Sequence, residues 1–344
     1  MQKILIEHSS DAGQRIDRFC KKFFPNIALG AIYRLLRTGK IKINGKKKDQ
    51  SYKLELWDEL TLWMSDEEIH AMQAKNGWST PDNSRVENPS KNWMRDATPM
   101  ALSILYEDEY LMVINKPAWI NVHAWDHKTT ESNLIDQVQD YLRGWHDSLT
   151  FRPALVHRID RDTSGCILIA KEKPTLEALL SDLQSHSIEK VYHALVVGFP
   201  AENTGTIREK LLRIENARWE AKVRVDATWQ SAVTHYRVIQ HQSRVTATEW
   251  VPHISLLECR IETGRTHQIR VHLAHIGSPI LWDKAYGNKK INSFFERNVG
   301  ISRQMLHAYS LEFIHPITKK RLKIEAPYFP DFTRGVDTIR KQSS

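Results

Sequence analysis

Two short segments carry the residue types from which a reactive site could be built. The first, HRIDRDTSG (residues 157–165), sets two arginines and two aspartates between the apolar PALV and CILIA. Asp160 and Asp162 stand two apart, so on an extended backbone they face opposite ways. That spacing weakens a reading as paired acid and base carboxylates across one glycosidic bond. The third acidic ligand and the glycine pattern of a calcium loop are missing as well. Thr163-Ser164-Gly165 reads as a tight turn with Asp160 at its mouth. A salt-bridged surface loop would have the same composition.

The second segment is TGRTHQIRVHLAHIGSP (residues 263–279). Thr266 is the expected N-cap of a helix whose apolar stripe is Ile269, Leu273 and Ile276, closed by Gly277 and Pro279. Arg270 falls at the edge of that stripe, one turn after His267. His272 and His275 are three apart, but the i, i+4 zinc pattern with its glutamate is absent, and a solvated histidine face is expected instead of a metal site. An arginine beside a buried helix face needs a carboxylate partner, and Asp160 is the candidate. Such a pair keeps an aspartate ionised in a dry pocket, as a carboxylate nucleophile requires.

The elements that must hold these residues begin with a unit of their own, residues 1–65. It contains 13 Lys+Arg and 7 Asp+Glu, six of the net +8 of the whole chain. QRIDRFCKKFF repeats apolar residues at helical spacing (Ile16, Phe19, Cys20, Phe23), and ALGAIYRLLRTGK does so through Ile32, Leu35 and Leu36 before a stop at Gly39. KIKINGKKK then predicts a hairpin turning at Asn44-Gly45, with returning strands in YKLELWDELTLWM around a second turn at Asp58. Residues 66–98 lose periodicity and read as a linker. From 99 to 344, strands such as CILIAK, KVYHALVVG and HISLLECRIET alternate irregularly with helices such as TLEALLSDLQSH, whose Leu176, Leu179, Leu180 and Leu183 share one face. MLHAYSLEFIHP should pair with KRLKIEAP across ITKK. This predicts an α+β fold with a mixed, mostly antiparallel sheet, preceded by a small α/β domain.

At 344 residues the chain has room for two or three domains. A pI near 9.2 favours a polyanion, nucleic acid before membrane. Cys20, Cys166 and Cys259 lie far apart, against a disulfide framework or cysteine zinc site and in keeping with a reducing compartment. Neither a signal peptide nor an apolar run of membrane-spanning length is visible, so a cytoplasmic location without membrane attachment is expected. The HxE and PCxxC pattern of zinc deaminases is absent.

Taken together, HRIDRDTSG and GRTHQIRVHLAHIGSPILWDKAYG resemble the signature segments of the RluA-type pseudouridine synthases. NKPAWINVH (115–123), KVYHALVVG (190–198) and RQMLHAYSLEFIHP (303–316) add three further matches, in the family's order, over roughly residues 100–330. Arg15-Ile16-Asp17 and LLRTGKIKINGK (35–46) resemble the small RNA-binding module of a small-subunit ribosomal protein and several RNA-modifying enzymes. That points to the branch acting on large-subunit ribosomal RNA. The resemblance implies a pseudouridine-synthase catalytic domain and no cofactor or metal, with RNA, or a precursor ribosomal particle, as partner of a monomer. It implies Asp160 as the catalytic aspartate, Tyr192 as the tyrosine stacking on the flipped base and helping proton removal, and Arg270 as the aspartate's partner. Arg158 would enter the RNA stack, and Arg15, Arg34, Arg37, Lys40, Lys42 and Lys46 would contact RNA from the N-terminal module. The sequence departs from the family at Ile159, Trp119, Ile120, Ser278 and Trp282, and Trp119 would reshape the pocket rim. Alternatives are a transfer RNA substrate or a non-catalytic RNA-binding ribosome-assembly protein, the latter disfavoured because Asp160 and Tyr192 are both present.

Overall fold

The computed structural model describes residues 1–73, 102–123, 132–143, 148–215, 221–226, 229–241 and 252–341. They form two compact units.

The first unit starts with β1 (Gln2–Leu5), α1 (Ile16–Phe23) and α2 (Leu29–Thr38). It continues with β2 (Ile41–Ile43), β3 (Glu59–Leu62) and α3 (Asp66–Gln73). The stripe expected on α1 is the one buried: Ile16, Phe19, Cys20 and Phe23 meet Ile32, Leu36, Ile41, Leu60 and Leu62 in one core. Gly39 ends α2 in the left-handed conformation (φ 78°), its N–H returning to Leu36. The Asn44-Gly45 turn forms, with both residues at positive φ, but the expected hairpin shrinks to one bridge, Ile43 to Lys46. The lysine run that follows offers no alternating apolar face. β2 does pair with a returning strand in YKLELWDELTLWM: β3, which also pairs with β1, both antiparallel.

Residues 66–73, expected within the linker, form α3 and bury Ile69 in this core. The rest of the expected linker, 74–98, lies outside the described residues. The unit also takes in chain from Tyr141–Pro153 and Lys171–Pro174. Buried Asp11 explains part of this: its carboxylate accepts from Leu149 N (2.8 Å), Thr150 N (2.9 Å), and the Ser148 and Thr150 hydroxyls.

The second unit comprises β4 (Ile104–Glu107), β5 (Leu111–Lys116), α4 (Leu134–Tyr141), β6 (Ala154–Leu155), β7 (Ser164–Ala170) and α5 (Lys173–Gln184). β8 (Glu189–Val197), β9 (Thr204–Ile207), β10 (Leu211–Glu215), β11 (Ala221–Val225), β12 (Thr234–His241) and β13 (Ile254–Ile261) follow. α6 (Gln268–His275), α7 (Lys289–Val299), β14 (Leu306–Ile314), β15 (Arg321–Glu325) and α8 (Pro330–Lys341) complete it. Ten strands form one sheet, with path β4-β5-β7-β14-β8-β13-β12-β9, β15 beside β14 and β6 beside β7. Only β7 and β14 run parallel; the fold is α+β. β14 and β15 pair as expected, Ser310 opposite Glu325.

The central strands are buried along their length, β7 at every residue, which is why CILIA reads as an unbroken apolar run. On α5, Leu179 is buried while Leu180, expected on the same face, is exposed. Gly165 sits where β7 meets β14, at φ 113°. A Cβ there would lie 2.6 Å from the Ala308 nitrogen and closer still to its carbonyl oxygen, so only glycine lets the two backbones approach.

Candidate active site

Asp160 lies just before β7, in a turn closed by the Thr163 N–H donating to the Asp160 carbonyl (3.1 Å). Three side chains from elsewhere in the unit fix this turn. Arg303, 1% exposed, is held by Asp331 of α8. It donates to the Asp162 carbonyl (3.3 Å), the Ser164 hydroxyl (3.1 Å) and the carbonyls of Gln304 and Leu306. Gln304 donates to the Thr163 hydroxyl (2.7 Å). Lys116, at the end of β5 and fully buried, donates to the carbonyls of Pro117 (2.8 Å), Ile120 (3.0 Å) and Arg161 (2.9 Å). Burial pushes this amine's pKa down to about 7, and the three carbonyls offset part of the cost of burying its charged form.

The second segment supplies the partner. The helix starts one residue later than expected: His267, not Thr266, is the N-cap, in the left-handed conformation (φ 54°). The preceding loop is held by Gln268, whose Oε1 accepts from the Thr263 hydroxyl (2.7 Å) and Arg265 N (3.1 Å) while its Nε2 donates to Val233 O (2.9 Å). Arg270, one turn on, donates through Nη1 to Asp160 Oδ2 (2.9 Å) and through Nε and Nη2 to both oxygens of Asp283 (2.7 and 3.0 Å). The Tyr286 ring lies 5.2 Å from the guanidinium carbon. Asp283 is wholly buried and also accepts from Ala285 N and Tyr286 N.

One guanidinium thus joins two carboxylates of different character. Asp283 is sealed and saturated; the Asp160 side chain is 25% exposed and can meet a ligand. Burial by itself would raise the Asp160 pKa. The charges of His267 and Arg270, with hydrogen bonds from Arg270 and Gln304, outweigh it and hold the carboxyl below its ordinary range. Asp160 is therefore ionised at neutral pH. His267 Nε2 is 3.9 Å from its Oδ2, and His267 Nδ1 is 3.0 Å from the Tyr286 hydroxyl. Burial lowers the His267 pKa despite Asp160.

Tyr192, on β8 between Cys259 and Ala308 of the neighbouring strands, is 6% exposed. Burial, then the charge of Asp160, raises its pKa well above the usual tyrosine value, so it remains a phenol. Arg158 is exposed, and its charge helps to lower the pKa of both His123 and His267. The structure therefore brings Asp160 against Arg270 and within electrostatic reach of Tyr192, with Arg158 nearby.

The cations expected to contact RNA from the first unit are arranged differently from one another. Arg34, Arg37 and Lys46 are exposed. Arg15 is held bidentately by Asp17 (3.2 and 2.7 Å), Lys40 is 3.7 Å from Glu68, and Lys42 lies over Trp63 at 5.5 Å. His272, expected on a solvated face, is instead fully buried, between the Thr234 hydroxyl (2.9 Å) and the Glu209 carbonyl (3.1 Å). β12 covers that side of the helix.

Asp283, Lys116, His267, Tyr286, Arg303 and Gln304 were not singled out from the sequence as parts of the site. Asp283 lies within the quoted segment ILWDKAYG, and an acid directly after the apolar run ILW is the available signal.

Comparison with known proteins places this geometry. The family described as RNA pseudouridylate synthase matches residues 110–275, which include Asp160, Tyr192 and Arg270. The ribosomal large subunit pseudouridine synthase C of Buchnera aphidicola subsp. Acyrthosiphon pisum is 35% identical over 95% of this chain and 94% of its own. The proteins of the same name from Vibrio cholerae and Escherichia coli are each 32% identical, over 96% and 98% of this chain and 94% and 97% of theirs. Two solved structures share the fold. The human RNA pseudouridylate synthase domain containing 4 has a TM-score of 0.55 and 24% identity over 69% of this chain and 93% of that one. The human domain containing 1 has a TM-score of 0.51 and 22% identity over 71% and 96%. With relatives this similar along nearly their whole length, the chain belongs to the RNA pseudouridylate synthase family, and its chemistry is the isomerisation of uridine in RNA.

Proposed function

We propose that this chain converts uridines of large-subunit ribosomal RNA to pseudouridine with Asp160 as the nucleophile. The observation that carries the reading is the asymmetric pairing on Arg270: one carboxylate sealed in the core, the other ionised and open. The names of the relatives support the choice of RNA.

The reaction balances without any outside reagent. The N1–C1′ bond of the nucleotide breaks, the base turns, C5 bonds to C1′, and the C5 proton leaves as N1 gains one. A carboxylate adding to the ribose or to the uracil ring serves as the temporary bond that holds the fragments. The target base must leave its stack to reach a quarter-exposed aspartate, at a cost of a few kcal/mol. Arg158, exposed beside the site, is suited to fill the gap. Tyr192, kept protonated, is suited to lie against the flipped base and to relay the C5 proton by passing its own phenolic proton to the Asp160 carboxylate once that is released. Arg34, Arg37 and Lys46 offer phosphate contacts from the first unit, joined by Lys40, Lys42 and Arg15 where RNA competes for their present partners. The protein would act in the cytoplasm as a monomer on the RNA or its precursor particle.

The test uses uridine tritiated at C5, incorporated into large-subunit RNA and, in parallel, into transfer RNA. Wild-type protein should release tritium from the first, and Asp160→Ala should release none while binding the RNA within a few fold, since phosphate contacts dominate affinity. Release by the Asp160→Ala protein would refute the nucleophile; release from transfer RNA alone would refute the substrate.

A further inference from the structure

We infer that Trp119 is a stacking platform for an RNA base adjacent to the flipped uridine, with Arg161 and Lys284 holding the phosphates on either side of that base. The inference rests on the reading of Asp160 as the reactive group, and it adds a binding site for a second nucleotide.

Trp119 is 42% exposed, in a unit that otherwise buries most of its large apolar side chains. Its backbone is in the left-handed region, φ 72°, which glycine enters freely and a bulky residue does not. Strain of this kind persists where the surroundings over-determine it. Here the surroundings are visible. Lys116 Nζ donates to the carbonyls of Pro117 and Ile120, on both sides of Trp119, and with its third hydrogen to Arg161. Arg161 Nε in turn donates to the Trp119 carbonyl (3.3 Å). The tryptophan loop is thereby tied to the turn that carries Asp160, and the indole is presented at a fixed place beside it.

Two exposed cations attend the ring. The Arg161 guanidinium carbon is 6.0 Å from its centroid and Lys284 Nζ 5.6 Å; the same Nζ is 4.9 Å from the ring of Trp282. Arg161 follows Asp160 in the chain and Lys284 follows Asp283, so each cation is one residue from a carboxylate of Arg270. The ring is therefore tied, through Lys116 and Arg161, to the turn that carries the reactive carboxylate, and Lys284 joins it there by lying over the ring. Both cations lie over the ring, so a base stacking on Trp119 displaces them toward its own phosphates; an exposed aromatic ring attended by such groups suits a base and its phosphates in single-stranded nucleic acid. A flipped nucleotide leaves its neighbours unstacked, and those neighbours need such a surface.

The experiment measures binding of single-stranded oligouridine by filter retention at several salt concentrations, with tritium release from large-subunit RNA as a separate arm. Trp119→Gly suits the backbone and should melt no lower than wild type, yet bind oligouridine roughly 5- to 150-fold more weakly, the range for losing one base–aromatic stack. Its log–log salt slope should be unchanged, because no phosphate contact is lost. Trp119→Tyr keeps a ring and should bind within a few fold of wild type. Lys284→Gln should make the slope shallower by about 0.7, one phosphate on a single strand. In the release assay Trp119→Gly should raise KM more than it lowers kcat. Binding of Trp119→Gly within twofold of wild type would overturn the inference, as would an equal loss in Trp119→Tyr. The binding arm judges the platform, while absence of release by wild-type protein would count against the nucleophile.

Discussion

Replacing Asp283 with asparagine removes a charge at a point of the site where water cannot compensate. The Asp283 side chain is wholly buried and that of Arg270 is 9% exposed. In Asp283→Asn the remaining oxygen can serve the N–H groups of residues 285 and 286, but the amide hydrogens then face the guanidinium donors. Removing one partner of a buried ion pair costs about 3–5 kcal/mol. A domain of this size loses about 2–4 °C in Tm per kcal/mol, so Tm should fall by roughly 6–20 °C on these two scales. Asp160→Asn is the control. Its side chain is 25% exposed, and Arg270 keeps both bonds to Asp283, so the loss should be about 0–1 kcal/mol, as for solvent-screened pairs. Differential scanning calorimetry of the three proteins at pH 7 decides the matter. An Asp283→Asn protein melting within 2 °C of wild type, on the order-of-magnitude scale above, or below it by less than Asp160→Asn does, would refute the division into a sealed and a working carboxylate.

Two further outcomes follow from the same geometry. Burial, aided by the charge of Arg303, pushes the Lys116 pKa down to about 7; in the unfolded chain it returns to about 10.4. Between those values the unfolded chain holds a proton that the folded chain has released, so this group's contribution to stability rises with pH and is lost as pH falls through 7. The stability of wild type relative to Lys116→Met should therefore increase by about 2–3 kcal/mol from pH 6 to pH 9 in urea unfolding, and a constant difference would contradict the assignment. Tyr192→Phe should retain RNA binding while slowing tritium release by ~100-fold or more, the scale of a lost proton-transfer group; an unchanged rate would make Tyr192 an ordinary core residue.

What could be read from the chain divides along a physical line. Charged side chains that meet one another leave a trace in sequence, because an arginine on an apolar helix face demands an acid; Arg270 and Asp160 were paired on that ground and lie 2.9 Å apart. Groups that meet backbone leave none. Lys116 serves the carbonyl of Arg161, and Arg303 that of Asp162, and a carbonyl is offered by every residue type. The same blindness put the cap of α6 at Thr266, where the loop is in fact governed by the Gln268 side chain reaching back to Thr263 and across to Val233. Helix periodicity placed the core of α1 correctly because four residues sufficed. It misjudged His272 because burial there is imposed by β12, which periodicity within one helix does not report.

The bridge from Arg303 to Asp331 bears on when, during its own manufacture, the protein can work. A ribosome making this chain adds Asp331 well after Asp160. Until α8 has been made, the guanidinium that grips the Asp162 carbonyl and the Ser164 hydroxyl lacks its counter-charge, and the turn presenting Asp160 lacks its support. On the proposed reading of Asp160, the turn that presents it is thus braced only after α8 has been made. An unfinished product, still tethered to a particle rich in RNA, carries the proposed nucleophile in a turn that is not yet braced.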